Sequence, residues 1–85
     1  MTAEEAQNTL NELVGQKAYR MPLKQLRELV TVAAEGQFTL EHKTARDTEG
    51  DELTGWWWAV WDQPEYHADS ERAALLEASF FLAGL

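Results

Sequence analysis

The sequence predicts a small α+β domain, and three observations carry that prediction. Two amphipathic helical stretches open the chain, the apolar period switches from helical to two after Gly36, and a third helical stretch closes it. The expected order is ααββα, or ααβββα if a short edge strand forms: an N-terminal αα-hairpin, a two- or three-stranded antiparallel sheet and a C-terminal helix. Eighty-five residues make one domain, 1–85.

"TAEE" at the start is a capping box, with Thr2 as N-cap and Glu5 reaching back. Ala3, Ala6, Leu10, Leu13 and Val14 follow at helical spacing, and Gly15 supplies a stop. Pro22 suits the first turn of a second helix, whose stripe is Leu23, Leu26, Leu29, Val30, Ala33 and Ala34, ended by Gly36. "QFTLEHKT" then alternates as a half-buried strand, "RDTEGDELTG" reads as a turn or extended hairpin loop, and "WWWAVW" is the second strand. Glu65 to Ala68 offers a short third strand. Asp69 or Ser70 caps a last helix from about Glu71 to Ala83.

"GWWWAVWD" places four tryptophans in six consecutive positions, Trp56 to Trp61. Successive strand residues point to opposite faces, and a one-residue change of register would exchange those faces. Either Trp56, Trp58 and Val60 join Phe38 and Leu40 inside, or Trp57, Ala59 and Trp61 do. The first is favoured, because Val60 belongs inside and Ala59 loses least outside. Trp57 and Trp61 are then expected to stand outward beside Thr39, Glu41 and Lys43. Each carries on the order of 200 Å² of buriable surface, so covering both would contribute up to roughly 10 kcal/mol before ordering costs. Two covers compete: the segment near Pro64 and Tyr66, with a cation–π contact from Lys43, or another chain. The last helix, apolar nearly all round, argues for another chain and makes Leu75, Leu82 and Phe81 candidates for self-association.

Charge is unevenly spread. The chain carries 15 acids against 7 lysines and arginines, a net charge of −8. Residues 1–46 are balanced, so all of the net charge falls in residues 47–85, where Arg72 is the sole base. Such acidity repels nucleic-acid phosphates and favours basic protein surfaces; it also keeps an aromatic-rich protein soluble. Asp47, Glu49, Asp51, Glu52, Asp62 and Glu65 are the expected steering residues around Trp57 and Trp61 anchors.

Cysteine is absent, which excludes a disulfide scaffold, a thiolate zinc site and a cysteine nucleophile. "DTEGDE" fails the EF-hand pattern, since its glycine comes too early at Gly50 and Trp58 falls where the closing glutamate belongs. Glu65, His67 and Asp69, with His42, are weak metal or acid–base candidates, and no metal site or cofactor is expected. No nucleophile, oxyanion site or phosphate cradle is marked, so an enzyme is not expected. Lys17, Arg20, Lys24 and Arg27 form a basic stripe that a helix-turn-helix would use, with Gly15 as turn residue; Pro22 and the net charge oppose that reading.

The expectation is therefore a non-enzymatic acidic protein-interaction module, in its sharper form an inhibitor or immunity-type protein covering a basic, nucleic-acid-handling protein surface. The alternative is a homo-oligomeric (homodimeric) structural or accessory protein assembling through its tryptophan-rich sheet and last helix; a nucleic-acid binder using the basic stripe comes third. Acids where a secretory leader carries bases, and no long apolar run, point to a cytoplasmic protein without membrane contact. In size, acidity and lack of motifs the chain is similar to small phage- or plasmid-encoded accessory proteins.

Overall fold

The computed structural model describes residues 1–14 and 20–83. The order is α1 (Ala3–Leu13), α2 (Leu23–Ala33), β1 (Phe38–Arg46), β2 (Glu52–Val60), β3 (Tyr66–Ala68) and α3 (Glu71–Leu82), an α+β arrangement of the ααβββα type. Gly15, Lys17 and Gly84, read above as a helix stop, part of the basic stripe and the chain's close, lie outside the described residues.

Local chemistry accounts for the helix ends. Glu5 N–H donates to Thr2 Oγ1 and Thr2 N–H to Glu5 Oε1, at 3.1 and 3.2 Å, closing the capping box. The Thr2 backbone N–H on its carboxylate, aided by the Thr2 hydroxyl, favours the ionised form and holds the Glu5 pKa below its ordinary value. Ser70 caps α3, accepting from Ala73 N–H at 3.0 Å. At the end of α2, Glu35 N–H reaches Val32 O and Gly36 N–H reaches Thr31 O, at 3.0 and 2.9 Å, which is a Schellman ending. Glu35 sits there at φ 57°, where glycine is usual.

The sheet order is β1-β2-β3, antiparallel throughout. Phe38 pairs with Val60, Leu40 with Trp58 and His42 with Trp56, so the expected register holds. The strands are longer than the sequence reading: β1 reaches Arg46 and β2 starts at Glu52, leaving 47–51 as the loop. Cross-strand pairs sustain this extension, with Thr44 and Thr54 hydroxyls 2.6 Å apart and Arg46 3.8 Å from Glu52.

Among the described residues, all three helices lie on one side of the sheet and none covers its other face. Helix α3 packs against β2 and β3 on one side and against α1 and α2 on the other. That middle position accounts for most of its apolar circumference, though Phe80 and Phe81 remain 44% and 38% exposed. Leu75 and Leu82 are buried, together with Ala74, Ala78 and Ser79. The two leucines are therefore core residues in the single chain and not self-association contacts. Leu10, Leu26 and Val30 from the hairpin and Leu40, Trp58 and Val60 from the sheet complete the core. Among the described residues, no helix is long and apolar enough to cross a membrane.

Candidate functional site

The four tryptophans divide by environment as well as by strand parity. Trp58 is on the helix side, 4% exposed, and its indole N–H donates to Glu77 Oε1 at 3.1 Å. Trp56 shares that side, half-buried, edge-on to His42 at 5.2 Å.

Trp57 lies on the bare face as its parity requires, yet it is only 2% exposed. Its expected role as an exposed anchor is thereby corrected. Gly55, two residues earlier on the same face, leaves space that the His67 imidazole fills; a Cβ there would collide with that ring and lie 2.9 Å from Ala68 O. His67 meets Trp57 edge-on at 5.3 Å and sets Nε2 3.2 Å from the Thr54 carbonyl. Lys43 Nζ donates to both carboxylate oxygens of Glu65, at 3.0 and 2.9 Å. Lys43 stands opposite Gly55 on one side of β2, while Glu65 directly precedes Tyr66, the partner of Trp58, on the other. The ion pair therefore spans β2 in the neighbourhood of Trp57 and serves as a clasp. The bonded carboxylate raises the Lys43 pKa above the ordinary lysine value. Of the two expected covers, the one from the Pro64–Tyr66 side is supplied at Trp57 by His67, whereas Lys43 is engaged by Glu65 and Glu41 rather than in the expected cation–π contact.

Trp61 takes a different course. It follows the last residue of β2 at φ 53°, and Gln63 N–H closes a turn onto Val60 O at 3.2 Å. Positive φ at the first central residue of a turn is glycine's place, and a bulky residue there is uncommon. The backbone reversal turns the indole away from the Trp57 face and towards α3, where it meets Phe81 at 5.8 Å. Trp61 remains 43% exposed.

Three exposed aromatic residues consequently gather where β2 ends, β3 begins and α3 ends. Trp61 touches Phe81, Phe81 meets Trp58 at 6.3 Å, and Tyr66 lies 5.1 Å from Trp58. Tyr66 is 42% and Phe81 38% exposed. Asp62, Glu65 and Glu77, all exposed, come from the same three segments. Tyr66 enters the sequence reading as part of a cover for the outer tryptophans and not as a site residue; its place opposite Trp58 in β3 is what brings it into the group.

The candidate acids do not form one patch. Asp47, Glu49 and Asp51 occupy the β1–β2 hairpin loop and Glu52 opens β2, whereas Asp62 and Glu65 lie at the opposite end of β2, about 27 Å away by strand rise. In the loop, Asp47 Oδ1 accepts from Glu49 N–H and Asp51 N–H, both at 2.9 Å. Carboxylate oxygens of Asp47, Glu49 and Asp51 come within 4.8 Å of one another, and these turn bonds account for the convergence. Glu65, His67 and Asp69 do not converge on a metal: Glu65 binds Lys43, and His67 reaches Thr54.

In the basic stripe, Arg27 lies 3.9 Å from Glu71 of α3. The depression bounded by Lys24, Arg27, Glu28, Thr31 and Val32 draws every wall from α2, so it is open surface rather than an enclosed site. Comparison with family models, with curated proteins and with solved structures gives no match for this chain.

Proposed function

We propose that this chain is a non-enzymatic protein-interaction module that contacts its partner through the corner formed by Trp61, Tyr66 and Phe81. The observation that carries the reading is Trp61 itself. Its backbone conformation favours glycine, and 43% of it is in water, so neither local geometry nor the core requires a tryptophan there. Strained, exposed aromatic residues are a mark of binding surfaces.

Magnitudes define the contact. With about two-fifths of each ring exposed, the three residues offer roughly 200–300 Å². Covering it would contribute about 5–7 kcal/mol before ordering costs. A stable interface needs about 800 Å² per partner, so the rest must come from the surrounding polar and acidic surface. The corner belongs to the half of the chain that holds the whole net charge of −8. Two copies apposed there would set like charges together, whereas a basic protein would be attracted. A heterologous basic partner is thus favoured over self-association at this corner. The sharper form is an inhibitor that occupies a nucleic-acid-handling surface, with carboxylates standing where phosphates would.

The experiment is affinity capture from the native host with the wild-type chain and with a Trp61→Ala/Phe81→Ala double variant, at low and high salt. The reading expects a basic protein retained by the wild type, lost with the double variant and weakened by salt. The same proteins captured by both forms would overturn it.

A further inference from the structure

The opposite edge of the sheet carries an interface of a different kind. β1 is an edge strand of nine residues, paired without interruption to β2 from Phe38–Val60 to Arg46–Glu52. It contains no proline and no bulge, and among the described residues no strand pairs with its far side. Long regular edges of this kind are normally interrupted or covered, because their free N–H and C=O groups are a template for another strand.

The hydrogen-bond phase shows which groups are free. Trp61 N–H donates to Gln37 O, so Gln37 bonds to the β2 side and, by alternation, so do Thr39, Glu41, Lys43 and Ala45. Phe38, Leu40, His42, Thr44 and Arg46 turn their backbone groups to the free edge. A second β1 can satisfy those groups in antiparallel orientation only by pairing even-numbered residues with even-numbered ones.

Charge then chooses among the central registers. Centring the pairing on residue 41 sets Glu41 against its own copy, and centring it on residue 43 does the same for Lys43. Centring it on His42 sets each Glu41 opposite the Lys43 of the other copy, twice over by symmetry. Opposite charges directly across a strand pair are favourable and like charges are not. The strand holds Glu41, Lys43 and Arg46, so it is not part of the acidic half that would repel a second copy.

We propose that the chain forms a symmetric homodimer by antiparallel β1–β1 pairing centred on His42, extending two three-stranded sheets into one of six strands. The edge lies across the sheet from β3, so the dimer leaves both aromatic corners free. This inference does not depend on the partner reading above.

The test is absolute mass by light scattering from low to high micromolar, for the wild type, Glu41→Lys, Thr44→Pro and Trp61→Ala. Thr44→Pro removes an N–H that faces solvent in the single chain, a position where an edge strand tolerates proline. Glu41→Lys changes an exposed side chain that makes a solvated ion pair with Lys43 at 3.5 Å, and it sets lysine against lysine in the favoured register. The wild type and Trp61→Ala should show twice the 9.7 kDa chain mass. Thr44→Pro should be monomeric, and Glu41→Lys should raise the dissociation constant about tenfold. A monomeric wild type throughout that range overturns the proposal. So does a dimer that survives both β1 substitutions, or one that Trp61→Ala abolishes.

Discussion

Trp57 and Trp61 are four residues apart, carry the same side chain and, by simple alternation, belong to one face of the sheet. Yet Trp57 is 2% exposed and Trp61 43%. Trp57 lies on the face that no described helix covers and is nonetheless sealed, with Gly55 making room for the His67 ring that meets it and the Lys43–Glu65 ion pair spanning β2 in its neighbourhood. Trp61 stands beside α3, the most apolar helix, and is nonetheless wet, because its φ of 53° carries it past the end of the strand, where Phe81 is the described aromatic ring that meets it. Burial of an aromatic residue in so small a domain is thus decided by immediate neighbours rather than by the side of the sheet. The sealed tryptophan belongs to stability, and the exposed one is left for recognition.

The largest expected effect separates the two directly. Trp57→Ala should lower unfolding stability by about 3–5 kcal/mol in urea titrations, as for other buried aromatic truncations. Trp61→Ala should cost less than about 1 kcal/mol. Equal costs would erase the distinction. Gly55→Val comes next, at about 2–3 kcal/mol, because the side chain must displace His67 and crowd the Ala68 carbonyl; the same titration measures it, accompanied by increased quenching of Trp57. A smaller effect concerns the backbone. Trp61→Gly should be more stable than Trp61→Ala by about 1 kcal/mol, since only glycine adopts φ 53° without penalty. If alanine proves the better residue, Trp61 is not strained and the argument for recognition loses its support.

The smallest effect is the clasp. Lys43 and Glu65 are both partly solvated, so Lys43→Met should leave the unfolding midpoint nearly unchanged while making Trp57 easier to quench. The pH dependence follows in sign. The Lys43 pKa is raised in the folded protein, so its contribution is complete below the ordinary lysine pKa and is lost as pH rises through the raised value. Trp57 quenching should therefore increase at alkaline pH beyond the ordinary lysine range, and Lys43→Met should abolish that increase.

Much of the architecture was legible in the sequence, because its determinants are local. Thr2 and Glu5 cap α1, Ser70 caps α3, and alternation with Phe38 and Leu40 orders Trp58 and Val60 inward. The site was less legible, because its determinants are not periodic. Alternation assigns Trp57 to a face but does not disclose that His67 of β3 fills the space at Gly55 and meets its ring. Nor does any local pattern announce a tryptophan at positive φ, which is what parts Trp61 from Trp57. Leu75 and Leu82 were misassigned to self-association for a related reason: an apolar circumference says that a helix is enclosed, and the enclosing layers turned out to be the chain's own hairpin and sheet. The hairpin strands were read short because Thr44–Thr54 and Arg46–Glu52 support each other only across the ladder.

The most direct test is acrylamide quenching of tryptophan emission in Trp57→Phe and Trp61→Phe variants against the wild type. The emission missing from Trp61→Phe should be red-shifted and readily quenched, and that missing from Trp57→Phe blue-shifted and protected. A protected Trp61 component, or a quenchable Trp57 component, would contradict the division between sealed and exposed tryptophans on which the proposed corner rests.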